Sequence, residues 1–442
     1  MDFNKETSTN LYDITDVRKE RVIVVGLKIG QDLQFEHSME ELISLCEACD
    51  MEVVGKMTQS LPAPHQALYI GTGKVDEVVE TAEALEADTV VFDNALSPSQ
   101  VRNLSSHINL PILDRTSLIL EIFNVRAQTK EAKLQVELAR LQYLMPRLTG
   151  MGTALSRQGG GSGSRSNKGS GEKKLELDRR HIEHRIDECK KELEAVRRNR
   201  VTQRKSRVSS SLPQVSLVGY TNAGKSTVMN QMLTLYGNQE IANNEHKLVL
   251  QKDMLFATLD TTVRKITPAG KHSFYLSDTV GFINKLPHNL VDAFRSTLEE
   301  ACEADLLLQI VDISDPHYKE HISVTNETLS SLGAGDIPML IVYNKSDRVK
   351  NPTRSFPYIH EDTIHIAAGK SIGMEELLEF VLSTLYKDNE EVKLLLPYSA
   401  GGILNTLITE ATVACQEYRD DGIYVEATVN KQQYAKVQEY LL

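Results

Sequence analysis

Gly219-Tyr220-Thr221-Asn222-Ala223-Gly224-Lys225-Ser226-Thr227 has the spacing of a phosphate-binding loop, with a lysine and a hydroxyl residue directly after the second glycine. Gly219 and Gly224 allow backbone N–H groups to turn inward around phosphates. Lys225 brings a point charge for β- and γ-oxygens, and the Ser226 hydroxyl is suited to Mg²⁺. That motif specifies a nucleoside triphosphate without choosing the base. Further along, Asp278-Thr279-Val280-Gly281 supplies a carboxylate for magnesium, held through water, and a glycine N–H able to sense a γ-phosphate. Asn344-Lys345-Ser346-Asp347 chooses the base: the Asp347 carboxylate accepts from guanine N1–H and the N2 amine, which adenine lacks in that arrangement. In Ala367-Ala368-Gly369 a backbone N–H is expected to meet guanine O6. Four ordered motifs read as a GTP site, with GTP as substrate.

Phe256-Ala257-Thr258-Leu259-Asp260-Thr261-Thr262 lies between the first two motifs. A threonine there can complete a Mg²⁺ shell only while a γ-phosphate is present, which orders the loop with GTP and releases it on hydrolysis. Spacing alone does not choose among Thr258, Thr261 and Thr262.

These residues need strand ends and one helix start to hold them. Val215 to Gly219, Phe274 to Leu276, Met339 to Tyr343 and Ile364 to Ile366 read as short buried strands, each running into one motif. Val228 to Leu235 reads as the helix after the phosphate loop. Upstream, strands (Val22 to Val25, Thr89 to Phe92) alternate with helical stretches (Ser38 to Cys49, Val75 to Leu85), giving a small parallel α/β domain. Gly71-Thr72-Gly73-Lys74 lacks the phosphate-loop spacing and reads as a glycine turn opening a helix. Cys46 and Cys49 form C-x-x-C without a second pair, so core packing is expected there rather than zinc.

Charge is unevenly spread. Between Arg126 and Arg207, 21 Lys+Arg face 10 Asp+Glu, a charge of +11, so the other residues carry −23 of the total −12. A basic segment inside an acidic chain is the footprint of phosphate contact. Leu134, Leu138, Leu141 and Met145, then Ile182, Ile186, Cys189, Leu193 and Val196, recur at heptad-like spacing. Two such narrow seams are expected to pack antiparallel, with a glycine-rich loop from Thr149 to Gly171 at the tip. Roughly 20 residues per arm would hold that tip about 30 Å from its base. Arg157, Arg165 and Lys168 at the tip are candidate RNA contacts.

Several stretches carry a specific resemblance: Asp114-Arg115-Thr116, Leu134-Gln135-Val136-Glu137-Leu138-Ala139, Ser156-Arg157-Gln158-Gly159-Gly160-Gly161, Leu175-Glu176-Leu177-Asp178-Arg179-Arg180 and Leu286-Pro287-His288-Asn289-Leu290-Val291. The chain resembles the HflX family, bacterial GTPases related to translation factors within the class that includes Era and TrmE. The resemblance implies that Thr258 is the threonine that ligates Mg²⁺ with Ser226. It implies a large (50S) ribosomal subunit partner and GTP-driven splitting of stalled 70S ribosomes. It also implies that the glycine-rich tip reaches the peptidyl-transferase region of 23S rRNA. A second function associated with the family is ATP-dependent RNA remodelling through the N-terminal domain. Ser162 to Glu172 makes a tip longer than is usual and lacks its proline, so an antibiotic-resistance role is one hypothesis. Asn222 is, by resemblance, a candidate potassium ligand. Phe282 stands where Ras-like enzymes place a water-orienting glutamine, so slow unassisted hydrolysis and stimulation by the ribosome are expected.

The expected fold class is α/β. Residues 1–20 form a tail, 21–125 the N-terminal parallel α/β domain, 126–207 an antiparallel coiled-coil hairpin, 208–388 a Ras-like P-loop G domain, and 389–442 a small α+β domain. Lys225, Thr258 and Gly281 are the expected catalytic residues. No apolar run approaches the length of a membrane span and the first residues lack a signal-peptide layout, so a cytoplasmic protein, monomeric when free, is expected.

Overall fold

Val22-Ile23-Val24-Val25 and Thr89-Val90-Val91-Phe92 are apolar without alternation, as suits strands covered on both faces. The computed structural model describes residues 18–158, 168–208, 212–237, 256, 262–285, 300–349, 355–387 and 389–442. Contacts divide the chain into two units, Met1–Leu118 and Ile119–Leu442.

In the first unit β1 (Arg21–Ile29), β2 (Glu52–Leu61), β3 (Thr89–Phe92) and β4 (Ile112–Asp114) form a parallel sheet of order β2-β1-β3-β4. Helices α1 (Phe35–Ala48), α2 (Thr72–Ala84) and α3 (Pro98–Leu104) make the crossovers. Gly71 caps α2 and gives its N–H to Gln59 Oε1 at 2.9 Å, so Gly71 to Lys74 is a turn and helix start. Cys46 is fully buried and its thiol is pushed up to about 12 by that burial, consistent with packing. None of the five cysteines is in a disulfide. Asp114-Arg115-Thr116 has a structural task that its residue types alone do not announce. Arg115 is 1% exposed and pairs with Asp93 at 2.6 Å and with Glu41 of α1. Asp114 accepts the Leu96 N–H at 2.9 Å. A guanidinium and two carboxylates this deep are tolerable only together.

Helix α4 (Arg115–Arg126) leads along the chain to α5 (Lys130–Gln158) and α6 (Lys168–Val208), which form the hairpin. Leu134, Leu138, Ile186 and Cys189 are buried between its arms, with Leu141, Met145, Ile182 and Leu193 packed around them. Val196 is half-buried and stands outside this cluster. Lys130 pairs with Glu192 at 2.8 Å, and Glu137 takes a two-pronged bond from Arg185 at 2.6 and 2.8 Å. One pair lies a heptad from the other on both arms, which fixes the antiparallel register. Arg185 holds the Glu137 carboxyl below the ordinary range.

The helices reach further into the glycine-rich stretch than expected. Residues 149–158 continue α5, and α6 begins at Lys168 rather than beyond Gly171. Ala154, Leu155, Arg157 and Gln158 favour helix, and extending an existing helix costs far less than starting one. At 29 residues, α5 is about 43 Å long.

Beyond the hairpin, the described strands form a sheet of order β10-β11-β9-β8-β5-β7-β6. These are β5 (Gln214–Val218), β6 (Thr262–Ile266), β7 (Phe274–Asp278), β8 (Leu306–Asp312), β9 (Met339–Asn344), β10 (Tyr358–His360) and β11 (Thr363–His365). Only the edge strands β6 and β10 run antiparallel to their neighbours. Helices α7 (Lys225–Tyr236), α8 (Tyr318–Ser331) and α9 (Met374–Leu385) flank it. Val215, Leu217, Val228, Leu276, Leu308 and Ile366 centre the core. The last element is an antiparallel sheet, β12 (Glu390–Leu396), β13 (Thr412–Arg419) and β14 (Gly422–Val429), ordered β12-β14-β13 and accompanied by α10 (Gly401–Glu410) and α11 (Lys431–Val437). Among the described residues no helix is long and apolar enough to cross a membrane.

Leu138 is 8% exposed in the hairpin seam and Leu144 is 37% exposed. Leu138→Ala is expected to destabilise the hairpin by about 2–4 kcal/mol, against less than about 0.5 kcal/mol for Leu144→Ala. Amide exchange along α5 and α6 checks this, because only the first substitution should accelerate it.

Candidate nucleotide-binding site

Three of the four motifs follow directly on the carboxyl ends of parallel strands in one sheet. The loop 219–224 leaves β5, Thr279 to Gly281 follow β7, and Lys345 to Asp347 follow β9. Ala367 to Gly369 come two residues after β11 ends. Crevices at such strand ends are where ligands bind in open α/β sheets.

Gly224 precedes α7 in the left-handed region at φ +96, and a Cβ there would meet Asn344 Nδ2 at 2.3 Å. No other residue satisfies both demands. Asn344, 2% exposed, uses the contact: its Nδ2 donates to Ala223 O at 3.0 Å, and its Oδ1 accepts from Ala368 N at 3.0 Å. One side chain therefore ties three motifs together. Lys345 adds a second tie, donating to Asn222 O and pairing with Asp312, each at 2.8 Å. Asn222 is itself exposed at φ 59.

Lys225 is 6% exposed, its ammonium donating to Gly219 O at 3.0 Å and Tyr220 O at 2.8 Å. Burial lowers its pKa to about 8, against the opposing pull of Asp278. Ser226 Oγ donates to Asp278 Oδ2 at 2.8 Å, and Asp278 is fully buried. A hydroxyl beside a buried carboxylate is an all-oxygen pair of the kind Mg²⁺ takes. Thr227 is half-buried in the first turn of α7. Thr279 is buried and donates to Leu217 O at 2.7 Å; Val280 is buried beside it.

The segment after Asp278 is laced to the phosphate loop. Thr221 N donates to Phe282 O at 2.8 Å, and Phe282 N donates to Gly219 O at 3.1 Å. Asn284 N donates to the Tyr220 hydroxyl at 2.8 Å, and the Tyr220 ring stacks on His321 of α8 at 3.8 Å and 9°. His321 and Asn284 belong to this site but carry no motif. Only folding brings His321 to Tyr220, so spacing offered no signal for it.

Asp347 is paired with Lys370 at 3.0 Å, a partner adjacent to Gly369 that the motif reading passed over. Ser346 is buried, donating from its backbone to Ile366 O at 3.1 Å. Of the loop expected to face guanine O6, the Ala367 N–H goes to Ile372 O and the Ala368 N–H to Asn344. Gly369 follows in a short 3-10 turn. Phe256 is 2% exposed, its ring edge-on to Phe123 of α4 at 4.6 Å, so this side chain is committed to packing. Ala257, Thr258, Leu259 and Asp260 lie outside the described residues, as does Arg165. Arg157 is in the last turn of α5 as described and Lys168 opens α6. Among the described residues no cluster of three or more His, Cys, Asp or Glu could hold a metal on its own.

Three family models match the chain: "GTP-binding GTPase N-terminal" over residues 36–124, "GTP-binding GTPase Middle Region" over 126–207, and "50S ribosome-binding GTPase" over 214–345. A protein described as GTPase HflX from Caldanaerobacter subterraneus subsp. tengcongensis is 41% identical over 96% of this chain and 94% of its own. One of the same description from Alkalihalophilus pseudofirmus is 47% identical over 76% of this chain and 77% of its own. Another, from Lacrimispora saccharolytica, is 38% identical over 97% and 98%.

Asn344→Ala is expected to cost about 2–4 kcal/mol, because it leaves the Ala223 carbonyl and the Ala368 N–H buried without their partner; urea denaturation checks this, and an unchanged midpoint would contradict it. Lys225 yields a pH dependence. Its folded value lies below the unfolded 10.5, so the buried charge costs the nucleotide-free fold stability below about pH 8, and that cost fades as pH rises towards 10.5. Phosphate oxygens would favour the charged form. GDP affinity should therefore fall by up to about tenfold per pH unit above about pH 8, measured by fluorescence titration between about pH 7 and about pH 9.

Proposed function

The chain belongs to the HflX family of GTPases, and from that premise we propose that it couples GTP hydrolysis to separation of stalled 70S ribosomes by docking on the 50S subunit. It is a GTP hydrolase. The observation that carries the further reading is the pairing, in one chain, of a guanine-nucleotide site with a stiff basic hairpin. That hairpin concentrates +11 in a chain whose other residues carry −23. Phosphate attraction thus acts mainly through the arm, while the acidic remainder repels RNA. The relatives described as GTPase HflX and the model named for 50S ribosome binding support this reading.

In the proposed cycle the N–H groups of residues 222–226 surround the phosphates and Lys225 takes β/γ oxygens. Asp347 leaves Lys370 to accept from guanine N1–H and N2, and the loop Ala367 to Gly369 borders O6. Ser226 and Thr258 would hold Mg²⁺, with Asp278 behind Ser226. When bound, that ion supplies charge neutralisation at the β- and γ-oxygens. Asn222 is the candidate ligand for potassium. Gly281 senses the γ-phosphate through its N–H, and the lacing between Phe282 and the loop transmits its position. Arg157, Arg165 and Lys168, in and beside the glycine-rich stretch, would approach 23S rRNA near the peptidyl-transferase region. The protein would act in the cytoplasm as a monomer when free. A tip longer than is usual for the family leaves drug tolerance as a testable accompaniment.

Sucrose-gradient sedimentation tests the coupling. With this protein and GTP, 70S particles should shift to 30S and 50S peaks. Intact 70S particles with GTP, under conditions where GTP is being hydrolysed, would count against splitting. Because Phe282 cannot orient water, turnover should rise by about tenfold or more on adding 50S subunits.

A further inference from the structure

Phe282 is 2% exposed and packs with Val218, Ala301 and Leu307, so its ring is committed to the core. Hydrolysis still requires that a water be oriented for attack. The phosphate loop carries a second hydroxyl, on Thr221. Thr221 is 7% exposed, and its hydroxyl is buried with no hydrogen-bond partner among the described residues. A buried hydroxyl without a partner is uncommon and calls for an explanation, since valine would fill the same space without that cost.

Its surroundings supply one. A Cβ built on Gly281 would stand 2.9 Å from Lys225 Nζ, 2.9 Å from Thr221 Cα and 2.9 Å from Thr221 Cγ2. Thr221, Gly281 and the Lys225 ammonium are therefore packed together with no room for a Cβ at Gly281, and the Thr221 atoms nearest that point are Cα and Cγ2. Thr221 is held in place from both sides. Its N–H donates to Phe282 O, and the neighbouring Tyr220 is fixed by Asn284 and His321. If Lys225 takes β/γ oxygens, as proposed above, Thr221 and Gly281 stand beside the γ-phosphoryl group, and rotation about the Thr221 Cα–Cβ bond would bring the hydroxyl to it.

We propose that the Thr221 hydroxyl accepts a hydrogen bond from the attacking water while donating its own proton to a γ-phosphoryl oxygen, so that it performs the orienting task that Phe282 cannot. The inference rests on the GTPase reading and on Lys225 as a phosphate ligand. The water oxygen forms a bond to γ-phosphorus as the bond from γ-phosphorus to the β–γ bridging oxygen breaks. The bridging oxygen leaves on GDP with the bonding pair. The water protons depart with inorganic phosphate, one being lost to solvent as it ionises, and Thr221 keeps its own.

The test uses the full chain and two isosteric changes. Thr221→Val keeps the shape and removes the hydroxyl; Thr221→Ser keeps the hydroxyl and removes the methyl. Thr221→Val should hydrolyse GTP about tenfold or more slowly, bind GDP within about twofold of the parent, and lose the extra affinity for GDP with aluminium fluoride. Thr221→Ser should retain most of both. Parental turnover in Thr221→Val would overturn the proposal, and so would equal losses in the two variants, which would mark a packing role. If Thr221→Val does not fold, Thr221→Ala against Thr221→Ser decides on the same readouts. Should the parent chain bind GDP without hydrolysing GTP, the GTPase reading itself fails, an outcome distinct from failure at Thr221.

Discussion

A lysine ammonium buried under its own loop is the interaction on which the site depends. Lys225 is 6% exposed, and its hydrogen-bond acceptors among the described residues are the carbonyls of Gly219 and Tyr220. Two neutral carbonyls compensate a desolvated charge incompletely, and the lowered pKa records the shortfall. A site built this way is short of negative charge, which polyphosphate brings. Curling the loop around the lysine also dictates its neighbours. Gly224 must be left-handed, Asn344 must fill the space beside it, and Gly281 must lack a side chain because Lys225 and Thr221 already occupy its surroundings.

The same economy appears in the N-terminal unit and in the hairpin. Arg115 is held by Asp93 and Glu41, so that two buried carboxylates share one guanidinium. Their removal singly is costly, whereas the intact set orients α1 and the start of α4 on the sheet. In the hairpin a narrow seam is supplemented by the Glu137–Arg185 clamp, which fixes register on a partly exposed surface. Packing also reaches the nucleotide loops from outside. Phe256 rests on Phe123, so a loop whose task is to respond to nucleotide has one residue anchored on α4.

Much of this was legible in residue order. Unbroken apolar runs indicated buried parallel strands, and the phosphate-loop spacing required a strand before it and a helix after it. The heptad spacing of Leu134, Leu138, Ile186 and Cys189 indicated a two-helix seam, and those four are its buried centre. What escaped was contact between residues distant in sequence. Lys370 beside Asp347, His321 under Tyr220 and Glu41 on Arg115 belong to no motif. The helices α5 and α6 also run further into the glycine-rich stretch than residue types there suggest, because extending a helix already formed costs little.

The sequence by itself determined the class of chemistry and the order of its parts. A phosphate loop, a carboxylate and a guanine-reading aspartate are short-range patterns, and their chemistry follows from residue type. Tertiary structure decided which groups are spent and which are available. It shows the Ala368 N–H committed to Asn344, the Phe282 ring committed to the core, and the Thr221 hydroxyl buried without a partner among the described residues. Hydrogen-bond satisfaction and burial are properties of a group's surroundings, and those surroundings exist only once distant segments have packed.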